Sequence, residues 1–229
     1  MSPEESRSKG DVWLLEKLPL EITRTETQKQ RIERISLFHK GQFLVGLSVA
    51  IADRLAINTG TVLTSVLLHE IRLEENREKA FATGYSLIAI RDHSEQEFVQ
   101  KLLKRGFSKD IIQSCKRSFL EKDLLNDERF AEQFAKGKSS LNRWGPSKIL
   151  SELRRKGISE RVARNALDQA FEEEDAAEHC IRLIEKREAH FRRESDPRKR
   201  KQKVFRYLQS KGYTSDVIFA STRTIDWLS

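Results

Sequence analysis

The side chains that could carry out catalysis are scattered along this chain. Glu128 and Glu132 lie one helical turn apart, and an acidic run fills 172–175, so either could in principle serve acid–base or metal chemistry. At helical positions beside lysines and arginines, such carboxylates more often form a solvated face. Cys115 and Cys180 stand alone, and neither forms a metal-ligand spacing with the five histidines. Phosphate-loop, dinucleotide, nucleophile-elbow and zinc-protease motifs are absent. We therefore expect no enzyme, no cofactor and no metal.

The distribution of positive charge is more informative about function than these scattered side chains. The net charge is +8, and residues 176–229 hold 13 basic and 7 acidic side chains. Such a density attracts phosphate groups or an acidic protein surface. A solvated linker is the alternative, because 194–197 interrupts the helical pattern. The cluster lacks an interleaved aromatic platform of the kind that stacks bases, so sequence-specific reading of bases is not expected. The cluster comprises Arg192, Arg193, Arg198, Lys199, Arg200, Lys201, Lys203 and Arg206.

The helical elements that must position these residues share a sequence pattern that occurs three times along the chain. Gly106, Gly157 and Gly212 are 51 and then 55 residues apart, and each has apolar residues eight and four positions before it. A fixed period near fifty residues indicates one supersecondary unit repeated in tandem. The copies are KRGFS at 104–108, RKGIS at 155–159 and SKGYT at 210–214.

Each copy is typical of a helix end followed directly by a helix start. Glycine favours the left-handed conformation that ends a helix, and Ser108, Ser159 and Thr214 suit the next N-cap. A third helix precedes each pair, and Gly145-Pro146 fits a helix start. The predicted helices cover 81–91, 95–105, 109–122, 127–141, 147–156, 160–171, 175–193, 198–211 and 215–224.

Residues 1–79 lack the repeat. Residues 1–9 are predicted to be a disordered start without a signal peptide. Short strands are predicted at 22–27, 31–39 and 42–47, with Lys40-Gly41 as a hairpin turn. Helical stretches are predicted at 48–57 and 63–78. This part is either an α/β cap on the array or a dedicated docking surface.

The predicted fold class is mainly α, with tandem three-helix repeat modules in an elongated curved array and a small strand-containing N-terminal unit. The predicted domains are 1–79, 80–125, 126–174 and a basic module at 175–229. No segment approaches the roughly twenty apolar residues of a membrane span, so we expect a cytoplasmic protein.

Several short strings between the repeats resemble the bacterial RecX family. The resemblance covers about 80–225 and is looser before that. Exact residue types at exact offsets make the central strings specific. They are NDERFA at 126–131, GPSKI at 145–149 and ELRRKGI at 152–158, with HSE at 93–95, LLKRGF at 102–107 and KGYT at 211–214 around them.

The resemblance implies a monomeric regulator of the RecA recombinase. Members are built of tandem three-helix modules, bind the RecA nucleoprotein filament along its groove, and suppress ATP hydrolysis and strand exchange. The implied partner is the RecA filament, with non-specific contact to single- or double-stranded DNA left open. The candidate contact residues are Arg143, Lys148, Arg154 and Arg155 in the central module and Arg192, Arg193, Arg198, Lys199 and Lys201 in the third.

Other interpretations stay open. Arg154 and Arg155 could simply end a helix, and Trp144 and Trp227 could either anchor a partner or fold onto their own cores. The main alternative function is a DNA-binding helical protein that acts without a recombinase. A helical adaptor scaffold is a third possibility.

Overall fold

The structure is a computed structural model that describes residues 9–172 and 176–228. The predicted disordered start lies outside these residues, except for Lys9, where the first helix begins. Within the described ranges the chain is mainly helical, and none of its helices is both long and apolar enough to span a membrane. The chain divides into two compact units between Thr83 and Gly84.

The first unit contains the predicted strands. Strands β2, β3 and β4 form an antiparallel sheet in that order, and β1 pairs with β5. Lys40 and Gly41 both have positive φ, +45° and +85°, as a type I′ hairpin turn requires. The elements are α1 (Lys9–Lys17), β1 (Leu20–Glu21), β2 (Arg24–Gln28), β3 (Arg31–His39), β4 (Gln42–Ser48), α2 (Val49–Arg54), β5 (Val62–Leu63) and α3 (Ser65–Ile90), of which residues 84–90 belong to the second unit.

Helix α3 differs from the prediction. The sequence indicated two helical stretches at 63–78 and 81–91, but a single helix of 26 residues runs through both. No proline or glycine lies between Ser65 and Thr83, so nothing in the local chemistry interrupts the helix. Gly84 lies within it, and a Cβ there would come 2.8 Å from Cζ of Phe119. Glycine therefore allows a close approach between α3 and a buried ring.

The second unit is built of three helical groups. The first combines residues 84–90 of α3 with α4 (Glu95–Lys104) and α5 (Lys109–Glu121). The second contains α6 (Asp127–Ser140), α7 (Pro146–Arg155) and α8 (Glu160–Glu172). The third contains α9 (Ala176–Glu185), α10 (Glu188–Arg192), α11 (Pro197–Lys211), α12 (Ser215–Arg223) and a short 3-10 helix (Asp226–Leu228).

The repeated pattern accounts for the helix ends and cores of these groups. The three repeat glycines have φ of +83°, +84° and +93°, as predicted for residues that end helices. The apolar residues eight and four positions before each glycine have no exposed surface. They are Phe98 and Leu102, Ile149 and Leu153, and Val204 and Leu208.

The third group departs from the plan at its first helix. The predicted helix at 175–193 is broken into α9 and α10, because Arg187 leaves the helical conformation with φ −118° and ψ 14°. The break places Phe191 in the core of the third group, 2% exposed and 5.7 Å from the ring of Tyr207 between centroids.

Candidate partner-binding surface

Two of the three repeat turns (104–107, 155–158 and 210–213), the second and the third, also join the helical groups, a role that the sequence did not predict. The second turn lies against the start of α4. Ser94 donates a hydrogen bond from Oγ to the carbonyl oxygen of Lys156 at 2.7 Å, and the Lys156 ammonium pairs with the Glu97 carboxylate. A Cβ on Gly157 would lie 2.7 Å from Cβ of Gln96, so this glycine is needed for close approach as well as for its φ.

The third turn lies in the same way against the start of α7. The Gly145 N–H donates to the Lys211 carbonyl at 2.8 Å, and the Ser147 N–H donates to the Gly212 carbonyl at 3.1 Å. These N–H groups belong to a helix N-terminus, where no intrahelical acceptor exists. A Cβ on Gly212 would lie 2.6 Å from the backbone nitrogen of Lys148. The docked turn therefore replaces a side-chain cap for α7.

The first repeat turn has no such partner in the described part of the chain. Beyond its chain neighbours, no atom lies within 4 Å of the position that a Cβ on Gly106 would occupy. Phe107, which follows it, is half-buried, whereas Ile158 and Tyr213 at the equivalent positions are 3% exposed. The three turns thus share one local structure but differ in their tertiary role.

Glu97 should make the stability of the contact between the first and second helical groups depend on pH. Burial alone would raise the pKa of Glu97, but hydrogen bonds from Lys156 and Arg91 outweigh it and hold the pKa below 4.5. A carboxyl whose pKa is lower in the folded state stabilises the fold above its unfolded pKa, and this contribution disappears as the pH falls through the folded value. Glu97→Gln should therefore lower the urea unfolding midpoint at pH 7, and its difference from wild type should shrink below about pH 4.5.

Glu178→Gln is the matched control for this prediction. Glu178 pairs with Arg182 at 2.7 Å on one face of α9, and both side chains are largely exposed. Exposed pairs of this kind contribute little to stability. A pH-independent difference between wild type and Glu97→Gln would contradict the role given to Glu97.

Three of the predicted contact residues are already paired with carboxylates. Arg154 lies 2.5 Å from Glu160, Arg155 pairs with Glu152, and Arg192 lies 2.6 Å from Glu188. The local charge of each is therefore compensated within the protein.

Four more of the predicted residues are exposed at the start of the third group's long helix and just before it. The backbone N–H groups of Arg198 and Lys199 donate to the side chain of Asp196, which caps α11, and their side chains remain in solvent. Arg193 and Lys201 are exposed as well. None of the four forms an ion pair within residues 9–172 and 176–228. Lys201 also borders an apolar cavity of about 440 Å³ beside Phe219.

Arg143 lies at a cationic cavity between the second and third helical groups, which we call the junction cavity. Its volume is about 460 Å³. Four basic side chains and no carboxylate line it, and its cations form no ion pair in the described residues. The lining residues are Leu141, Asn142, Arg143, Leu183, Lys186, Arg187, Tyr207 and Lys211.

Lys148 lies next to this cavity and adds to its positive potential. Its Nζ is 4.5 Å from the centroid of the Trp144 ring and donates to the Ser210 carbonyl at 3.4 Å. Burial, followed by repulsion from Lys148 and Arg187, lowers the pKa of Lys211. The structure thus brings the predicted Arg143 and Lys148 together with three cations that the sequence did not single out. Lys186 and Arg187 lie at the unexpected helix break between α9 and α10, and Lys211 is the last residue of α11.

The remaining candidates for chemistry do not form a site. In the ranges 9–172 and 176–228, no three His, Cys, Asp or Glu side chains could hold a metal ion together. Cys115 and Cys180 are buried, and burial raises the pKa of Cys115 to about 11, so this thiol stays protonated at neutral pH. Trp144 and Trp227 are half-buried and pack on the second and third cores, respectively.

Comparisons with known proteins agree with this architecture. Residues 126–167 match the model of the RecX second three-helix domain, and 173–220 match the RecX third three-helix domain. The regulatory protein RecX of Clostridium perfringens strain 13 is 30% identical over 196 residues, which cover 85% of this chain and 91% of that protein. The RecX of Halalkalibacterium halodurans is 31% identical over 201 residues, covering 86% and 75%.

Solved structures show the same fold. A crystal structure of a regulatory protein RecX covers 89% of this chain and 98% of its own, with a TM-score of 0.72 and 24% identity. RecX from Lactobacillus salivarius covers 67% of this chain and 98% of its own, with a TM-score of 0.60 and 23% identity. The resemblance found in the sequence is confirmed, and this chain belongs to the RecX family.

Proposed function

We propose that this protein inhibits the RecA recombinase by binding the RecA–DNA filament and suppressing ATP hydrolysis and strand exchange. The observation that carries the proposal is family membership over most of the chain, with relatives that bear the name regulatory protein RecX. RecA as the partner follows from the family resemblance. The protein would act as a binding regulator without catalysis of its own.

The docked helical groups support binding to a filament. Repeat turns hold the second group to the first and the third to the second, so contact surfaces on all three are linked. Linked contacts to several identical subunits bind a filament more tightly than a free subunit. We take the predicted modules at 80–125, 126–174 and 175–229 as the contacting units. Preference for an inactive arrangement of subunits would then shift the filament out of its working state.

The unpaired cations are the side chains that we assign to this contact. The junction cavity and the exposed Arg193, Arg198, Lys199 and Lys201 offer positive charge to acidic protein groups or to DNA phosphates. Arg154, Arg155 and Arg192 remain secondary candidates, because carboxylates already neutralise them. The N-terminal unit serves either as a cap or as a docking surface.

A titration of the protein into RecA, ATP and single-stranded DNA tests the proposal. We expect ATP hydrolysis to fall and filaments to shorten at fewer protein molecules than RecA subunits, because each bound molecule contacts several subunits. Measuring ATPase rate and filament length in the same samples separates loss of activity from loss of filament.

The alternative function, DNA binding without a recombinase, predicts a different result for the same titration. A DNA-binding protein that acts without a recombinase would bind the strand with a steep salt dependence. It would leave the RecA ATPase unchanged once DNA is in excess. That result would replace the regulator proposal with the DNA-binding alternative, which the junction cavity favours.

A further inference from the structure

The junction cavity concentrates positive charge that no carboxylate of residues 9–172 and 176–228 neutralises in an ion pair. Arg143, Lys186, Arg187 and Lys211 line it, and in the described part of the chain no carboxylate does so. In the second group the arginines outside the cavity are paired with carboxylates, as Arg164 is with Glu160 at 2.7 Å. A cavity whose cations form no ion pair in the described residues is suited to an anion from outside.

We propose that the junction cavity is a phosphate-binding site and that its occupancy strengthens the docking of the third helical group on the second. The phosphate group could come from a polynucleotide strand or from a free phosphate compound, and the test below distinguishes the two sources. The proposal does not depend on RecA, so it can fail or hold independently of the function proposed above.

The cavity is built from both helical groups. Arg143 comes from the loop between α6 and α7, whereas Lys186 and Arg187 follow α9, and Lys211 ends α11. An anion held by Arg143 and Lys211 therefore bridges the groups in addition to the hydrogen bond from Gly145 to Lys211. Ligand binding that spans a junction stabilises the docked state.

The loop that presents Arg143 is held in an unusual conformation. Arg143 has φ +50°, which side-chain-bearing residues seldom adopt. The Tyr213 hydroxyl donates a hydrogen bond to the Arg143 carbonyl oxygen at 3.3 Å. The backbone N–H of Trp144 donates one to the Lys138 carbonyl oxygen at 3.0 Å. Unusual backbone held in place by the surrounding structure is frequent at binding sites.

Repulsion among the cations favours the binding of an anion in the cavity. Burial lowers the pKa of the Lys211 ammonium, and repulsion from Lys148 and Arg187 lowers it further. An anion placed among them replaces repulsion with attraction. The Tyr207 ring forms a fixed wall, with the Arg187 guanidinium 4.7 Å and the Lys211 ammonium 5.9 Å from its centroid.

Phosphate fits this arrangement better than a single carboxylate. Two arginines can each present a planar fork to a tetrahedral oxyanion, while two lysines act as point charges. The cavity volume of about 460 Å³ also exceeds what one carboxylate fills. Both features favour a ligand with several oxygens accessible from different sides.

Arg187→Gln and Lys186→Gln test the site, with Arg182→Gln as the matched control. Lys186 and Arg182 lie one helical turn apart, both exposed, and their removal changes the net charge equally. Arg182 does not line the cavity. If Arg187→Gln folds poorly by circular dichroism, Lys186→Gln, which changes an exposed side chain, still decides the question.

Two measurements use the full chain. The first is the thermal unfolding midpoint in sodium phosphate against sodium chloride at equal ionic strength. The second is the affinity for a fluorescein-labelled 20-nucleotide oligodeoxythymidylate at several salt concentrations. We expect phosphate to raise the midpoint of wild type and of Arg182→Gln but not of the cavity variants. The cavity variants should also bind the oligonucleotide about tenfold more weakly, with a salt slope smaller by about 1.

Each combination of results in the two measurements leads to one conclusion about the site. Loss of both responses in the cavity variants supports a site for polynucleotide phosphate. Loss of the thermal response with unchanged oligonucleotide affinity supports the site but assigns it to free phosphate compounds. Equal behaviour of the cavity variants and Arg182→Gln in both measurements overturns the proposal, as does the absence of any phosphate effect on wild type.

Discussion

Gly212→Ala should undock the third helical group, whereas Gly106→Ala should leave both junctions intact. Each glycine has a positive φ, +93° and +83°, so alanine adds a similar backbone strain of about 1–2 kcal/mol at either site. The difference lies in the surroundings. A Cβ on Gly212 would lie 2.6 Å from the backbone nitrogen of Lys148, and no described atom beyond the chain neighbours is near a Cβ on Gly106.

The clash at Gly212 cannot be relieved by a side-chain rotation, because the nearest atoms belong to the start of α7. Moving the turn would break the hydrogen bonds from Gly145 and Ser147 to the turn carbonyls. Overpacking of this kind costs about 1–3 kcal/mol in addition to the backbone strain. Gly157→Ala should fall between the other two variants, because its added Cβ meets the Gln96 side chain, which can partly yield.

Urea unfolding of the three variants, followed by circular dichroism, measures these differences directly. Hydrogen exchange of the α11 and α12 amides then shows whether the third group opens separately in Gly212→Ala. Gly106→Ala is the matched control, since it carries the same substitution at an equivalent turn. Equal loss of stability at Gly106 and Gly212 would mean that the turns act as helix ends alone and that the junctions contribute nothing measurable.

The contrast between these glycines also shows what the sequence could and could not predict. The left-handed turns and the buried residues that precede them follow from local spacing and capping, and both are confirmed. The docking partners lie far away along the chain. Ser94 and Lys156 are 62 residues apart, and so are Lys148 and Ser210. No local pattern records such a pairing.

The errors in helix boundaries have a related cause. The sequence predicted a break within α3 that does not exist, and it missed the break at Arg187. Neither position contains the glycine or proline that would mark a boundary. The break at Arg187 is instead associated with core packing, since the turn places Phe191 in the interior of the third group.

The sequence could predict that the candidate site is positively charged, but it could not predict which side chains come together there. Counting basic residues treats Arg154 and Lys211 alike, although Arg154 pairs with Glu160 and Lys211 faces other cations. Arg143 was a predicted contact residue, but the other cations of the cavity come from 43 to 68 residues further along the chain. Only the fold distinguishes compensated charge from charge that is available to a partner.

Reversing charge in the junction cavity should remove most of the inhibition of RecA. The variant is Lys186→Glu with Arg187→Glu, and the quantity is the concentration that halves the RecA ATPase rate at physiological salt. We expect this concentration to rise more than tenfold, since two unpaired cations become anions at a surface assigned to DNA phosphates or acidic groups. Lys199→Glu with Lys201→Glu, on the exposed face of α11, should raise it by a smaller factor because those side chains lie outside the junction cavity.

Arg154→Glu with Arg155→Glu is the control that separates position from net charge. It changes the charge of the protein by the same amount as the cavity variant, but at residues that Glu160 and Glu152 already compensate. Inhibition by this variant should stay closest to wild type. An equal loss in all three variants would show that net charge drives filament binding, because long-range attraction does not depend on which cation is reversed. A loss confined to Arg154 and Arg155 would move the contact to the end of α7 and exclude the junction cavity from it.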